Sequence, residues 1–363
     1  MKIIEIIPNL LCGGAENFLV NLSNEFAARD GYDVSILTLY APQEGEFLRE
    51  KVASNVKLIY LNKKPGIDLS IPYKIYKIIK HGEFSVAHFH VQAIIYALFS
   101  VLFYRKCKYY ATIHSDAYKE ATGLHRLVRR IMFRKSLCIP ITISEESQRS
   151  FYKLYHQPSE LIYNGVNNYV GRKQVFRDRF VTSKATKLFV YVASIAPLKN
   201  QVAFARCINQ LFSEGYDVAL LIIGRIVNKE YGELLLKEVS SVVHYLGEVD
   251  NPTDYMGIAD FYALVSTYEG LPISLLEAFS TQCVPIVTPV GGCKDIVRDE
   301  ENGFVAKSSS FDDICETTRR ALCKSNMEIF RIKKMMEKEF VQKFTIKSCA
   351  DSHLKLFCST KNQ

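Results

Sequence analysis

Phe261-Tyr262-Ala263-Leu264-Val265-Ser266-Thr267-Tyr268-Glu269-Gly270-Leu271-Pro272-Ile273-Ser274-Leu275-Leu276-Glu277-Ala278 reads as one strand–turn–helix unit. Phe261–Ser266 is a short aromatic and aliphatic run, the form of a strand buried on both faces. Glu269-Gly270 makes the turn. Pro272 suits the first helical position, where its missing N–H has no helical partner to lose, so a helix starts about there. The open N–H groups near Ile273 and Ser274 are then available to an anion. Glu277 lies one turn further in, among Leu275, Leu276, Ala278 and Phe279. A carboxylate there is costly to bury without partners, and hydroxyl groups that donate to it are suitable ones.

Working outward, the same unit recurs. Leu188–Ala193, Val218–Gly224, Val243–Gly247, Phe261–Ser266 and Val284–Thr288 form one strand series with helical stretches between. An earlier series comprises Ile3–Ile7, Val34–Tyr40, Val56–Leu61, Val86–His90, Tyr109–His114 and Ile139–Ser144. Between its first two strands, Ala15–Arg29 places Phe18, Leu22 and Phe26 four apart, one apolar helix face. Strands alternating with helices imply α/β, a doubly wound parallel sheet in each half. The polar zone Asn164–Lys187 is the linker. The boundaries are 1–168 and 169–346, with a tail from about 347 to 363 returning to the first domain, Leu354 and Phe357 facing its core. A chain of 363 residues accommodates two such domains, and two sheets put a cleft between them. Ligands of open α/β sheets bind outside the carboxyl ends of the strands, so the residues just after each strand are the candidates.

After the first strand, Gly13-Gly14-Ala15-Glu16 opens a helix without the Gly-x-Gly-x-x-Gly dinucleotide pattern. It is either an anion-binding turn or a tight strand-to-helix turn. His88, His90 and His114 end strands. His88 and His90 point the same way but lack a nearby Cys, Asp or Glu pattern, so a zinc site is not expected. His114, followed by Ser115-Asp116, is the better ligand candidate. Lys199 precedes a helix, where a cation and the helix dipole converge on a phosphate; a solvated turn lysine is the alternative. The ten cysteines form no Cys-x-x-Cys and read as buried hydrophobes of a reducing compartment. Met1–Pro8 carries Glu5 within its apolar run and is a first strand rather than a secretory signal.

The net charge is +8, and residues 101–150 carry ten Lys and Arg against four Asp and Glu. No nucleic-acid-binding motif accompanies this charge, so nucleic acid is not an expected partner. Tyr73-Lys74-Ile75-Tyr76-Lys77-Ile78-Ile79-Lys80 spaces lysines three apart. Arg126, Arg129, Arg130, Arg134 and Lys135 form a second stripe, with Leu127, Val128, Ile131, Met132 and Phe133 between. Such helices lie on an anionic membrane surface or pack as ordinary domain-surface helices. Val91–Tyr104 is the longest apolar stretch, short of the roughly twenty residues a spanning helix needs; a buried helix beneath the sheet is expected.

In their shared order these segments resemble glycosyltransferase family 4, retaining enzymes of the GT-B fold, in which two Rossmann-like domains face each other across a cleft. The signature is Glu-x7-Glu, Glu269 to Glu277, within Tyr268-Glu269-Gly270-Leu271-Pro272. Supporting matches are Gly13-Gly14-Ala15-Glu16, His90, His114, Ser144-Glu145, Ile162-Tyr163-Asn164-Gly165-Val166, Lys199-Asn200, Ile222-Ile223-Gly224, Tyr245-Leu246-Gly247, Gly291-Gly292 and Asn302-Gly303.

The resemblance implies a hexosyltransferase moving a sugar from a nucleotide sugar, most often a UDP-sugar, to a glycan or lipid-linked glycan in capsule, exopolysaccharide or O-antigen assembly. It implies a cytoplasmic enzyme, peripheral on the membrane. Glu277 would hold the ribose, Glu269 the donor sugar, and Gly270, Leu271, Pro272 and the amides of Ile273 and Ser274 the diphosphate. Lys199 would bind phosphate, Leu246 and Gly247 frame the base, and His114 lie near the transferred sugar. Gly14 would sit where acceptor and diphosphate meet, with Gly13, Glu16 and His90 toward the acceptor. Glu269, His114 and Lys199 are the catalytic candidates. Lys199, read as exposed, is expected to matter for turnover far more than for stability.

One departure stands out: the family's Gly-Arg pair, with Arg five positions before the lysine, is here Ala193-Ser194, and Arg225 is the candidate replacement. With no Asp-x-Asp, neither a metal nor another cofactor is expected. Rival readings are a GT-B-fold sugar-nucleotide epimerase, a non-catalytic sugar-nucleotide-binding protein, and a Rossmann oxidoreductase, which the missing dinucleotide pattern disfavours.

Overall fold

The computed structural model describes residues 1–11, 13–42, 46–66, 68–171 and 175–359; Cys12, which opens the first glycine turn, lies outside them. The chain forms two units, Met1–Val166 with Lys343–Gln363, and Asn167–Gln342. Both are parallel α/β sheets built from nearly continuous apolar strands, as the sequence predicts for strands covered on both faces.

The first unit contains β1 (Lys2–Ile7), α1 (Gly14–Ala27), β2 (Asp33–Thr38), β3 (Lys57–Tyr60), α2 (Ser70–His81), β4 (Val86–His90), α3 (Leu98–Phe103), β5 (Lys108–Ile113), α4 (Ala117–Glu120), α5 (Gly123–Arg134), β6 (Ile139–Thr142), α6 (Glu145–Tyr155) and β7 (Glu160–Leu161). The strand order is β3-β2-β1-β4-β5-β6-β7, so the winding direction reverses between β1 and β4. That is the switch point at which ligands of such sheets bind. The turn at Gly13–Gly14 follows β1, and His90 is the last residue of β4, the two strands that flank it.

Two expectations change here. Val91–Tyr104 is not one helix beneath the sheet. Val91–Ala97 is a 3-10 segment, and α3 turns Leu102 and Phe103 outward. Arg129 leaves the basic stripe of α5: it is buried, donating to Glu120 Oε2 at 2.8 Å and to the Val91 carbonyl at 2.7 Å. Met132 and Phe133 also face inward, whereas Leu124, Leu127 and Ile131 face out with Arg130 and Arg134.

The second unit contains β8 (Lys187–Val192), α7 (Gln201–Ser213), β9 (Val218–Ile223), α8 (Lys229–Leu236), β10 (Val243–Gly247), α9 (Pro252–Ile258), β11 (Phe261–Leu264), α10 (Ile273–Ser280), β12 (Val284–Val287), α11 (Cys293–Ile296), β13 (Phe304–Val305), α12 (Phe311–Leu322) and α13 (Asn326–Glu339). The order β10-β9-β8-β11-β12-β13 reverses between β8 and β11. The loops after those two strands carry Lys199 and Glu269. The end of the linker zone belongs to this unit: Arg177 donates to the Ile258 and Thr186 carbonyls and to Asp260 at 2.5–2.6 Å.

The final helix, α14 (Ile346–Cys358), is part of the first unit. Ile346 N donates to the Val166 carbonyl at 2.8 Å, and the Phe357 ring packs at a tilt against those of Tyr110 and Phe26, centroids 4.6 and 6.0 Å apart. Among the described residues no helix is long and apolar enough to cross a membrane. Seven of the nine described cysteines are buried, and Cys323 and Cys358 are exposed.

Candidate functional site

In the second unit the strand order brings two sequence-distant residues together. Lys199 ends a 3-10 turn, Pro197–Lys199. Its Nζ lies 2.6 and 2.8 Å from the two carboxylate oxygens of Glu269. Glu269 also accepts from Ser266 Oγ at 2.5 Å. The two loops are stitched by backbone: Thr267 N donates to the Leu198 carbonyl at 2.9 Å. Tyr191, fully buried on β8, donates to the Lys199 carbonyl and accepts from Val265 N at 3.1 Å. Burial holds its phenol well above its ordinary pKa, so the hydroxyl keeps the proton it donates.

The Lys199 side chain is 24% exposed and that of Glu269 6%. The expectation of an exposed lysine, dispensable for stability, is therefore corrected: removing it strands a nearly buried carboxylate.

The turn that carries Glu269 rests on Gly291-Gly292. Gly291 has φ +51, and a Cβ there would come 2.1 Å from the Glu269 carbonyl oxygen. Gly292 N donates to the Gly270 carbonyl at 2.7 Å. The helix begins one residue later than Pro272, which is the cap residue of α10. No side chain caps this N-terminus, where the Ile273 and Ser274 amides stand, and the Ser274 hydroxyl is bonded to Tyr262 at 2.7 Å. Glu277 is half-buried on α10, one turn inside.

Ser194 and Arg225, at the position of the family departure, are neighbours across two loops. Ile195 N donates to the Arg225 carbonyl at 2.9 Å, and Ile195 and Ile226 form a parallel bridge. The Arg225 side chain is exposed. Gly224, before it, has φ +146, and a Cβ there would meet the Ala193 carbonyl oxygen at 1.9 Å. Leu246 and Gly247 end β10 at the sheet edge, with Gly224 N bonded to the Gly247 carbonyl at 2.8 Å.

In the first unit, Gly13 caps α1 and Gly14 is exposed at its start. The Glu16 carboxylate folds back over Gly13, close to where a Cβ would stand. Burial raises its pKa, against the bond it makes to its own backbone N–H. A second cluster lies beneath. Glu5, His88 and His90 are all fully buried. His90 Nε2 is 2.7 Å from Glu5 Oε2, and His90 Nδ1 is 3.0 Å from His114 Nε2. Both His90 nitrogens are therefore occupied and none of its ring is open. The expectation that His90 touches an acceptor is corrected on that ground. His114 is half-buried, its backbone N–H held by Glu120.

Sequence reasoning missed Glu5. The absence of an acid beside His88 and His90 was a matter of sequence distance, because β1 pairs with β4 and Glu5 registers with His88. The available signal was an acid inside a strand of isoleucines. Burial alone would raise the Glu5 pKa, but His88 and His90 beside it carry it down to about 2. Burial and His88 push His90 down to about 4, against the pull of Glu5. Glu5, His88 and His90 are also the residues whose donor atoms could gather a metal ion among the described residues. His88 Nδ1 lies 2.9 Å from Glu5 Oε2, though off the line of a hydrogen bond. The 2.7 Å contact of His90 is a direct hydrogen bond, and the 2.9 Å approach of His88 is likewise closer than two ligands of one ion stand. Two nitrogen or oxygen ligands on one tetrahedral zinc stand about 3.3 Å apart.

Residues 12–168 match the family Glycosyltransferase Family 4, and residues 173–334 match Glycosyl transferases group 1. The chain is 25% identical over 332 residues to the Staphylococcus aureus protein named "Capsular polysaccharide biosynthesis glycosyltransferase CapH", with 86% of each chain covered. It is 23% identical over 375 residues to a Campylobacter jejuni protein, with 100% of this chain and 99% of that one covered. That protein is named "GalNAc-alpha-(1->4)-GalNAc-alpha-(1->3)-diNAcBac-PP-undecaprenol alpha-1,4-N-acetyl-D-galactosaminyltransferase". The crystal structure of Anabaena Alr3699/HepE in complex with UDP and glucose superposes with a TM-score of 0.76 at 16% identity, covering 99% of this chain and 100% of that one. With a family match on each half and the same α/β architecture in a solved structure, the chain belongs to the GT-B glycosyltransferases of family 4, group 1 type.

Proposed function

We propose that this glycosyltransferase moves a hexose-type sugar from a UDP-sugar to a hydroxyl of a lipid-linked glycan, with retention of the anomeric configuration. The observation that carries the reading is Lys199 and Glu269 held together at the switch point of the second unit, beside the uncapped start of α10. A cation and free amides suit a diphosphate, and a carboxylate suits sugar hydroxyls. The Campylobacter relative's name, with its undecaprenol-linked acceptor and α linkage, and the UDP and glucose in the Anabaena protein support the substrate classes.

In this reading the C1–O bond to the diphosphate breaks, and its electrons go to the leaving phosphate oxygen. Lys199, Arg225 and the Ile273 and Ser274 amides stabilise that charge, so no metal is called for. The acceptor oxygen bonds C1 from the same face and loses its proton to the departing phosphate oxygen. Glu269 orients the sugar, Glu277 the ribose, Leu246 and Gly247 the base, and His114 contacts the sugar. Gly13, Gly14 and Glu16 receive the acceptor.

The enzyme works on the cytoplasmic face of an anionic membrane. Supporting this, α5 exposes Leu124 (66%) and Leu127 (55%) beside Arg126, Arg130 and Arg134, and its neighbour α3 exposes Phe103 (62%). Apolar tips flanked by cations suit an interface. Flotation with anionic rather than neutral liposomes is the expected result; no flotation with either overturns this placement.

The function is tested by incubating the chain with UDP-sugars and an undecaprenyl-diphosphate-linked glycan. UDP release that requires acceptor, with product and donor sharing anomeric configuration, is expected. Acceptor-independent UDP release with an epimerised sugar would point to the epimerase, and nucleotide binding without turnover to a binding protein.

A further inference from the structure

We propose that Glu5 and His90 are positioning residues that lock His114 as the neutral tautomer protonated on Nε2. His114 Nδ1 is then only an acceptor, and it selects a ligand group that donates, a sugar hydroxyl, over one that only accepts, a carboxylate or phosphate oxygen. The inference rests on the reading above that His114 meets the transferred sugar.

The argument runs along the bonds. An ionised carboxylate can only accept, so the His90 nitrogen 2.7 Å from Glu5 Oε2 carries the proton. His90 Nε2–H therefore donates to Glu5. A neutral imidazole with its proton on Nε2 has a bare Nδ1, which must accept. The group 3.0 Å from His90 Nδ1 is His114 Nε2, so His114 Nε2–H is the donor. That leaves the His114 proton on Nε2 and its lone pair on Nδ1. Among the described residues no hydrogen bond to that Nδ1 is found, and the residue as a whole keeps part of its surface exposed.

The neighbourhood opposes any reversal. Burial, then His90, His88, Arg129 and His353, all disfavour a charged His114 and lower its pKa well below the usual value. Glu5 and His90 are themselves sealed in the core. His88 is anchored on its far side, Nε2 lying 2.7 Å from Thr112 Oγ1. His353 from α14 donates Nδ1–H to the Cys349 carbonyl at 2.9 Å, and its ring lies tilted by 43° against that of His88, centroids 5.5 Å apart. A polarity fixed at Glu5 is thus passed through two rings to an atom of a half-buried residue at the switch point of the first sheet.

Two measurements on the full chain test this. Long-range nitrogen–proton spectra of the imidazoles report the His114 tautomer directly. The expected wild-type result is one neutral species, protonated on Nε2, from pH 6 to pH 8; a proton on Nδ1, or an imidazolium at pH 7, overturns the proposal. The second uses His90→Phe and monodeoxy analogues of the UDP-sugar the enzyme accepts. In the wild type, one analogue loses roughly tenfold in kcat/KM, the worth of a hydrogen bond to a neutral group. In His90→Phe, the parent donor loses about as much and the analogue's disadvantage shrinks to within about twofold, while the His114 ring shows mixed tautomers. Discrimination that survives in His90→Phe overturns the positioning role, because a merely structural residue would lower both donors alike. If His90→Phe does not fold, the wild-type spectra decide. If no UDP-sugar is turned over, the functional reading fails, and the spectra still decide the tautomer.

Discussion

Lys199 Nζ lies within 2.8 Å of both carboxylate oxygens of Glu269, seventy positions away in sequence. The contact exists because β8 and β11 are neighbours at the reversal of the second sheet. Each residue is placed by the other, and both by the hydroxyls of Tyr191 and Ser266. In the proposed reaction the ammonium is therefore oriented before the phosphate arrives. Orientation in advance is what makes such a charge effective at the moment the leaving group develops its own.

Lys199→Ala should lower kcat at least a hundredfold, the order expected for removing one preorganised donor at a developing charge. It should also lower stability by roughly 2 kcal/mol, because Glu269 is left buried with only Ser266. Thermal unfolding of the single variant and of Lys199→Ala with Glu269→Ala separates the effects. The double variant regains part of the stability and none of the turnover. Full turnover in Lys199→Ala would remove the phosphate role.

Glu277→Ala should raise KM for the donor by roughly tenfold and leave kcat nearly unchanged, since a ribose contact is made equally in ground and transition states. Steady-state kinetics with varied UDP-sugar check this. An unchanged KM would contradict the ribose role.

Gly291→Ala should disturb the turn beneath Glu269. Its φ of +51 and the Glu269 carbonyl 2.1 Å from a new Cβ leave no room without moving backbone. A loss of roughly 1–3 kcal/mol follows from the conformation alone, together with a fall in kcat from displaced Glu269. Urea unfolding and turnover measure both; a variant as stable and as active as the parent would contradict the tight seat.

The histidine cluster sets a pH limit. His90 and His353 are held down to about 4 and about 3 by burial, whereas the unfolded chain takes up those protons near pH 6.5. Protons bind the unfolded state first, so stability is lost as pH falls from about 6.5 toward 4. Each histidine contributes roughly 1 kcal/mol per pH unit in that window. Glu5, depressed to about 2, adds a second loss as pH falls from about 4.5 toward 2. Urea midpoints at pH 7.5 and 5.5 should differ clearly, the acidic one being lower; equal midpoints would contradict buried neutral histidines.

The alternation of strand and helix, and the Glu269–Glu277 helix start, were legible because both are encoded within a dozen residues. The Lys199–Glu269 pair was not, since it depends on which strands lie side by side. The same holds for Glu5 with His88 and His90, whose meeting is a matter of β1–β4 register. Arg129 reads as one cation in a stripe, and only the packing of α5 turns it inward onto Glu120. β7 and β13 are two residues each, too short for periodicity to register. Val91–Ala97 is apolar enough for a helix, yet it begins at Val91 with φ +54, a conformation that no composition announces.

The most direct measurement is a crystal structure of the chain with UDP. The account predicts the diphosphate within hydrogen-bond reach of Lys199 Nζ and of the Ile273 and Ser274 amides, with the ribose on Glu277. A diphosphate bound away from Lys199 and the start of α10, with the Lys199–Glu269 pair untouched and no phosphate near it, would contradict it.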